Sequence, residues 1–153
     1  MKLREFGGGR NITELAITTI QGDQTKIFVG SDSEFKEDIA KALLTIDVVP
    51  GSGLGGFVQY TIEADENGDA LIHSGIANFV AINHGGAVNG NVEDTSEVVY
   101  KTNPGGAFKD TWTAIGSLNQ INLVLQVKTG LTNPKIMVRY QVFLNSLQAI
   151  EGD

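Results

Sequence analysis

Two histidines, His73 and His84, are the side chains best suited to metal binding or proton transfer. They could share a metal only if a strand and the loop after it folded together. A third ligand would also be needed, for which Glu93 or Asp94 is the candidate. The simpler interpretation makes His73 a strand residue and His84 a loop residue, so we predict no metal site and no cofactor.

Acidic residues cluster between Asp65 and Asp69, and their oxygen atoms could suit calcium. The run departs from the EF-hand pattern, because Ala70 and Ile76 stand where glycine and glutamate are needed. Within the run, Asn67-Gly68 is typical of a type I′ turn, since both residues readily adopt positive φ. We predict a solvated hairpin tip.

Other catalytic patterns are incomplete. Ser74 lies beside His73, but neighbours on a strand point to opposite faces and cannot form a nucleophile–base pair. The glycine-rich stretch from Pro50 to Gly56 lacks the lysine and the following helix of a phosphate-binding loop. Carboxylate-based hydrolysis stays open as a hypothesis, and it would require a cleft holding two carboxylates of raised pKa. We predict that the protein is not an enzyme.

Composition limits the partners. The chain has 153 residues, a net charge of −7 and 11 scattered basic residues, so we expect no binding to nucleic acid or to an anionic membrane. It has no cysteine, which excludes disulfides and thiolate metal sites. No apolar run reaches the roughly 18 residues of a membrane-spanning helix.

Side-chain alternation predicts about eight strands joined by turns. The clearest segments are Val58 to Ala64, Ala70 to Ile82, Phe108 to Ile115, Ile121 to Val127 and Ile136 to Leu144. Gly75 is expected to mark a bulge or a close approach of another backbone, and residues 83–91 a loop. The pattern predicts an all-β fold, either an antiparallel β-sandwich or a jelly roll.

One short helix is expected in the N-terminal half. Ser31 and Glu34 have the spacing of a capping box, and Phe35, Ile39 and Leu43 then recur every four residues. The predicted helix ends near Leu43 or the next residue.

The chain is predicted to have a flexible N-terminal arm, residues 1–11, and a single β-sandwich domain, residues 12–150. Three consecutive glycines, residues 7–9, favour a flexible backbone. Lys2, Arg4, Phe6 and Arg10 make the arm a candidate partner-binding segment, because its positive charge could steer it towards an acidic neighbour.

The aromatic residues could pack in the core or bind a ligand. Tyr60 and Tyr140 share their strand faces with aliphatic residues, which indicates core positions. Trp112 is a candidate surface aromatic, although a core position is the more common use of such a residue.

Two groups of segments carry a family resemblance. The first is a hairpin pattern, Tyr60-Thr61-Ile62-Glu63-Ala64-Asp65, Gly68-Asp69, Ile72-His73-Ser74-Gly75 and Val80-Ala81-Ile82-Asn83 with Gly85-Gly86. The second comprises Asn122-Leu123-Val124-Leu125-Gln126-Val127, Leu131-Thr132 and Ile136-Met137-Val138-Arg139-Tyr140. Over roughly residues 57–147, the chain resembles β-rich phage virion structural proteins.

This resemblance implies a virion component of the capsid-decoration, head-fibre or tail-fibre type, assembled in the host cytoplasm. It implies a homo-oligomer, most simply a trimer, that contacts other virion proteins such as capsid or tail components. No site residue is carried over, because such proteins act through surfaces. The alternative function is a carbohydrate- or small-ligand-binding jelly roll. It would require an exposed aromatic residue near polar loop residues, for which Trp112 is the candidate.

Overall fold

The computed structural model describes residues 3–4, 10–18, 24–102 and 108–147. Every regular element in these ranges is a β-strand. The strands are β1 (Leu3–Arg4), β2 (Arg10–Thr18), β3 (Gln24–Phe35), β4 (Lys41–Asp47), β5 (Gly53–Glu66), β6 (Asp69–Asn83), β7 (Val88–Lys101), β8 (Lys109–Ser117), β9 (Gln120–Lys128) and β10 (Lys135–Leu147). Within the described ranges, no helix is long and apolar enough to cross a membrane.

The strands form two antiparallel sheets. The smaller sheet has the order β1-β4-β9-β8, and the larger has the order β2-β3-β10-β5-β6-β7. Between successive strands, the chain changes sheet after β1, β3, β4, β7 and β9. The predicted all-β, antiparallel class is confirmed, while the sandwich or jelly-roll assignment stays a prediction.

Alternation along the strands builds one core that includes residues of both sheets. Ile121, Leu123, Leu125 and Val127 of β9 are fully buried, and β10 buries every second residue from Ile136 to Leu144. The polar residues between them lie on the opposite faces, as a sheet with one solvated side requires. Tyr60 and Tyr140 are buried, which confirms their predicted core positions.

The predicted helix is wrong. β3 continues to Phe35, a short turn follows, and β4 begins at Lys41. The side chain of Asp32 accepts hydrogen bonds from the Glu34 backbone N–H and from Lys41 Nζ, both at 2.9 Å. The Glu37 carboxylate accepts the backbone N–H groups of residues 129 and 130. These contacts hold the segment in a turn, so they outweigh its local preference for a helix.

The hairpin prediction is confirmed, because Asn67 and Gly68 have φ values of 51° and 90° between β5 and β6. The predicted loop over residues 83–91 is wrong in its extent, since β7 already begins at Val88. A bulge does occur near Gly75. The register of β6 with β7 shifts between Ile76 and the next residue, so the extra residue lies in β7.

Candidate functional site

Four polar side chains meet between the sheets: Tyr60 of β5, His73 of β6, Asp94 of β7 and Asp110 of β8. We call them the buried polar cluster. Tyr60 and His73 stand at inward-facing positions of their strands, where the residues two positions before and after each of them are also buried. Asp94 pairs with a buried position of β6 immediately before the bulge. Asp110 comes from the smaller sheet, so the cluster connects both sheets.

The Tyr60 hydroxyl is at the centre of the cluster. It lies 2.6 Å from Asp94 Oδ2, and it also makes a short hydrogen bond to Asp110 Oδ2. His73 Nε2 is 3.2 Å from the same hydroxyl and 3.5 Å from Asp110 Oδ2. The side chain of His73 is fully buried, and that of Asp110 is 3% exposed.

Aromatic rings enclose these polar groups. The Trp112 ring centroid is 5.1 Å from that of Tyr60, and the Phe108 centroid is 4.4 Å from that of His73. Two buried nitrogens, Trp112 Nε1 and His73 Nδ1, have no hydrogen-bond partner among the described residues. The cluster therefore combines close polar contacts with unused hydrogen-bonding capacity, which is uncommon in a protein interior.

Burial and hydrogen bonding determine the charge state of the cluster. Burial raises the pKa of Tyr60, and its hydrogen bonds to Asp110 and Asp94 raise it further, so the phenol stays protonated. Burial also raises the pKa of Asp110, but hydrogen bonds from His73 and Tyr60 outweigh it and hold that pKa below its ordinary range. The lowered pKa of Asp110 is the opposite of the raised carboxylate pKa that the hydrolase hypothesis requires.

The structure brings together only part of the metal set considered from the sequence. His73 and Asp94 lie in the cluster. His84 and Glu93 are exposed, His84 in the turn after β6 and Glu93 on β7, and neither belongs to the cluster. Sequence reasoning missed Asp110, which lies in β8, the strand that follows β7 along the chain.

The other predicted site residues lie apart from the cluster or line its wall. Trp112 is 9% exposed and belongs to the core, so it is not the proposed surface aromatic. The backbone of Arg4 is in β1, which pairs with β4, and Arg10 begins β2. Lys2 and Phe6 lie outside the described residues, and the arm's role in binding stays a prediction.

A second feature is an exposed apolar surface on the larger sheet. The side of β6 and β7 that faces away from the core presents aliphatic and aromatic side chains, which we call the outer apolar face. Its members are Ile72, Val80, Ile82, Val98 and Tyr100. Tyr100 is paired with Ile72 across the two strands, and they are 67% and 45% exposed. Both also line a hollow that contains Met137 and Arg139.

The described strands define an antiparallel all-β fold with two sheets. Comparisons with known proteins do not assign this fold to a family. No family model matches the chain, and no curated protein matches it. One similar solved structure is the tailspike protein of Acinetobacter baumannii phage AM24, with 8% sequence identity and a TM-score of 0.44. That match covers 90% of this chain, and the chain spans a quarter of the tailspike's length.

Proposed function

We propose that the protein is a structural component of a phage particle that acts through protein–protein surfaces and self-assembly and not as an enzyme. The observation that supports self-assembly is the outer apolar face. Its aliphatic and aromatic side chains are 45–73% exposed and form two groups along the β6–β7 pair. Exposed apolar side chains grouped on a sheet face are typical of protein interaction surfaces.

A second copy of the chain is the proposed occupant of this face. Glu63 and Arg139 form an ion pair of 3.4 Å beside the apolar residues, with side chains 41% and 61% exposed. The surface therefore carries both signs of charge within a protein of net charge −7. Such a surface can approach an identical copy without the repulsion that a uniformly acidic face would meet.

The phage assignment is supported by the resemblance over residues 57–147. The hairpin of that resemblance, with its turn at Asn67-Gly68, is present as β5 and β6. We propose sandwich or jelly-roll protomers that assemble as a trimer in the host cytoplasm and contact capsid or tail proteins. The carbohydrate-binding alternative is less well supported, because Trp112, its candidate aromatic, is buried.

The test is the oligomeric state of the purified full chain in sedimentation velocity and light scattering at micromolar concentration. We expect a mass three times that of the chain. Val98→Lys should shift it towards monomer, because Val98 is 73% exposed on the outer apolar face. Thr113→Lys is the control, because it also introduces a lysine at an exposed strand position but lies on β8 of the smaller sheet. A wild-type monomer at every concentration would contradict self-assembly.

A further inference from the structure

The buried polar cluster has the donor atoms of a metal site. His73, Asp94 and Asp110 each offer one ligand atom, and these three atoms lie within 4.8 Å of one another. Imidazole nitrogen and carboxylate oxygen are ordinary ligands of zinc and related ions. Tetrahedral bonds of about 2.1 Å place neighbouring donors about 3.4 Å apart. The separation of His73 Nε2 from Asp110 Oδ2, 3.5 Å, matches this spacing.

The Tyr60 hydroxyl makes more close contacts than its one proton can serve. The Tyr60 hydroxyl has one proton, yet it lies within hydrogen-bond distance of both Asp94 and Asp110. It can donate that proton to only one of the two carboxylates. The contact to the second carboxylate therefore holds a further proton or, in a loaded site, a cation.

Trp112 gives an independent indication of a ligand. Its indole N–H is buried and makes no hydrogen bond to the described residues, and its ring lies beside that of Tyr60, with the two centroids 5.1 Å apart. Buried donors are nearly always paired in folded proteins. A water molecule held by a cation in the cluster would supply the acceptor that this N–H lacks.

We propose that the buried polar cluster binds one divalent transition-metal ion of the zinc class through His73 Nε2 and the carboxylates of Asp94 and Asp110. A water molecule below Trp112 is the fourth ligand. Tyr60 is not a ligand. Its hydroxyl, which lies within 3.2 Å of all three ligand atoms, moves aside as the ion binds and then donates a hydrogen bond to a ligating carboxylate, as outer-shell groups of metal sites do. The ion joins β6 and β7 of the larger sheet to β8 of the smaller sheet. This site is separate from the proposed assembly surface.

The first experiment is a zinc titration of the full chain after treatment with a chelator and dialysis. We expect one ion per chain by calorimetry, a change in the fluorescence of the single tryptophan and a higher unfolding temperature. Asp110→Asn should weaken binding by more than about 100-fold, which exceeds the usual loss of an outer-shell partner. Asp65→Asn, which removes an exposed carboxylate of the β5–β6 hairpin, is the control and should bind normally.

Two further measurements keep the test valid if Asp110→Asn does not fold. Cobalt bound to the wild-type chain should give the visible absorption of a tetrahedral nitrogen–oxygen site. Tyr60→Phe should weaken zinc binding by about 10- to 100-fold. The proposal is overturned if the wild type binds neither zinc nor cobalt below millimolar concentration. It is also overturned if Asp65→Asn abolishes binding while Asp110→Asn does not.

Discussion

Removing the Tyr60 hydroxyl tests whether the buried polar cluster stabilises the fold. Tyr60→Phe keeps the aromatic ring and its packing against Trp112, and it deletes only one oxygen. The deleted group is the hydrogen-bond donor that Asp94 Oδ2 and Asp110 Oδ2 share. The substitution leaves both carboxylates in place without that donor.

The expected cost follows from these contacts. A hydrogen bond to a charged group contributes about 1.5–3 kcal/mol, and its loss also leaves a desolvated acceptor. Since Asp110 is nearly inaccessible to water, it cannot recover the bond from solvent. One such bond is lost and a buried carboxylate keeps its desolvation penalty, so we expect Tyr60→Phe to lower the free energy of unfolding by about 3 kcal/mol.

Urea unfolding, followed by circular dichroism at one fixed protein concentration, measures this difference. Tyr100→Phe is the matched control, because it deletes the same oxygen from a side chain that is 67% exposed. The control should change the free energy of unfolding by less than about 0.5 kcal/mol. A surface substitution usually changes the free energy of unfolding by no more than about 0.5 kcal/mol. If the values for both variants lie within this limit of the wild type, the buried polar cluster does not stabilise the fold.

Two further substitutions test local features of the fold by the same unfolding assay. Glu37→Gln replaces a carboxylate whose two oxygens accept the Thr129 N–H at 2.9 and 3.0 Å. It should lower the free energy of unfolding by about 1–2 kcal/mol. Glu34→Gln, at an exposed position, is the control and should have no measurable effect. Equal effects of these two variants would show that the turn does not depend on the carboxylate. Gly116→Ala places a Cβ 1.7 Å from the Val88 carbonyl oxygen, so one of the two strands must shift. The substitution should lower the free energy of unfolding by about 1–3 kcal/mol. An effect no larger than that of Ser117→Ala would contradict the close approach of the two strands.

The second half of the fold could be predicted from the sequence because its strands alternate cleanly. Each predicted core residue between Ile121 and Val127, and between Ile136 and Leu144, is buried. The hairpin at Asn67-Gly68 was also predictable, since its turn conformation depends on two residues alone. In these segments the local pattern and the tertiary structure favour the same conformation.

The false helix shows where this agreement ends. The four-residue spacing of Phe35, Ile39 and Leu43 is also compatible with two strand ends and a turn between them. In the structure Phe35 and Leu43 are buried, whereas Ile39 is 56% exposed. The deciding contacts are those of Asp32 with Lys41 and of Glu37 with the turn after β9. The second of these joins residues far apart in sequence, so a local pattern could not reveal it.

The buried polar cluster depends on topology in the same way. Tyr60 and His73 come together because β5 pairs with β6, but Asp110 arrives from the other sheet. One signal was available in the sequence: His73 shares the face of its strand with Leu71 and Ala77, and both are buried. A titratable group on a buried face requires a polar partner. The sequence therefore indicated that a partner exists without identifying it.

Tyr60→Phe measured with and without zinc separates a purely hydrogen-bonded cluster from a metal site. If hydrogen bonds alone act, the difference in unfolding free energy between wild type and variant is the same under both conditions. If Tyr60 supports a ligating carboxylate, saturating zinc stabilises the wild type more, and the difference widens by about 1.4 kcal/mol per tenfold loss of affinity. A difference that narrows in zinc would mean that the hydroxyl competes with the ion, which contradicts the role proposed for Tyr60.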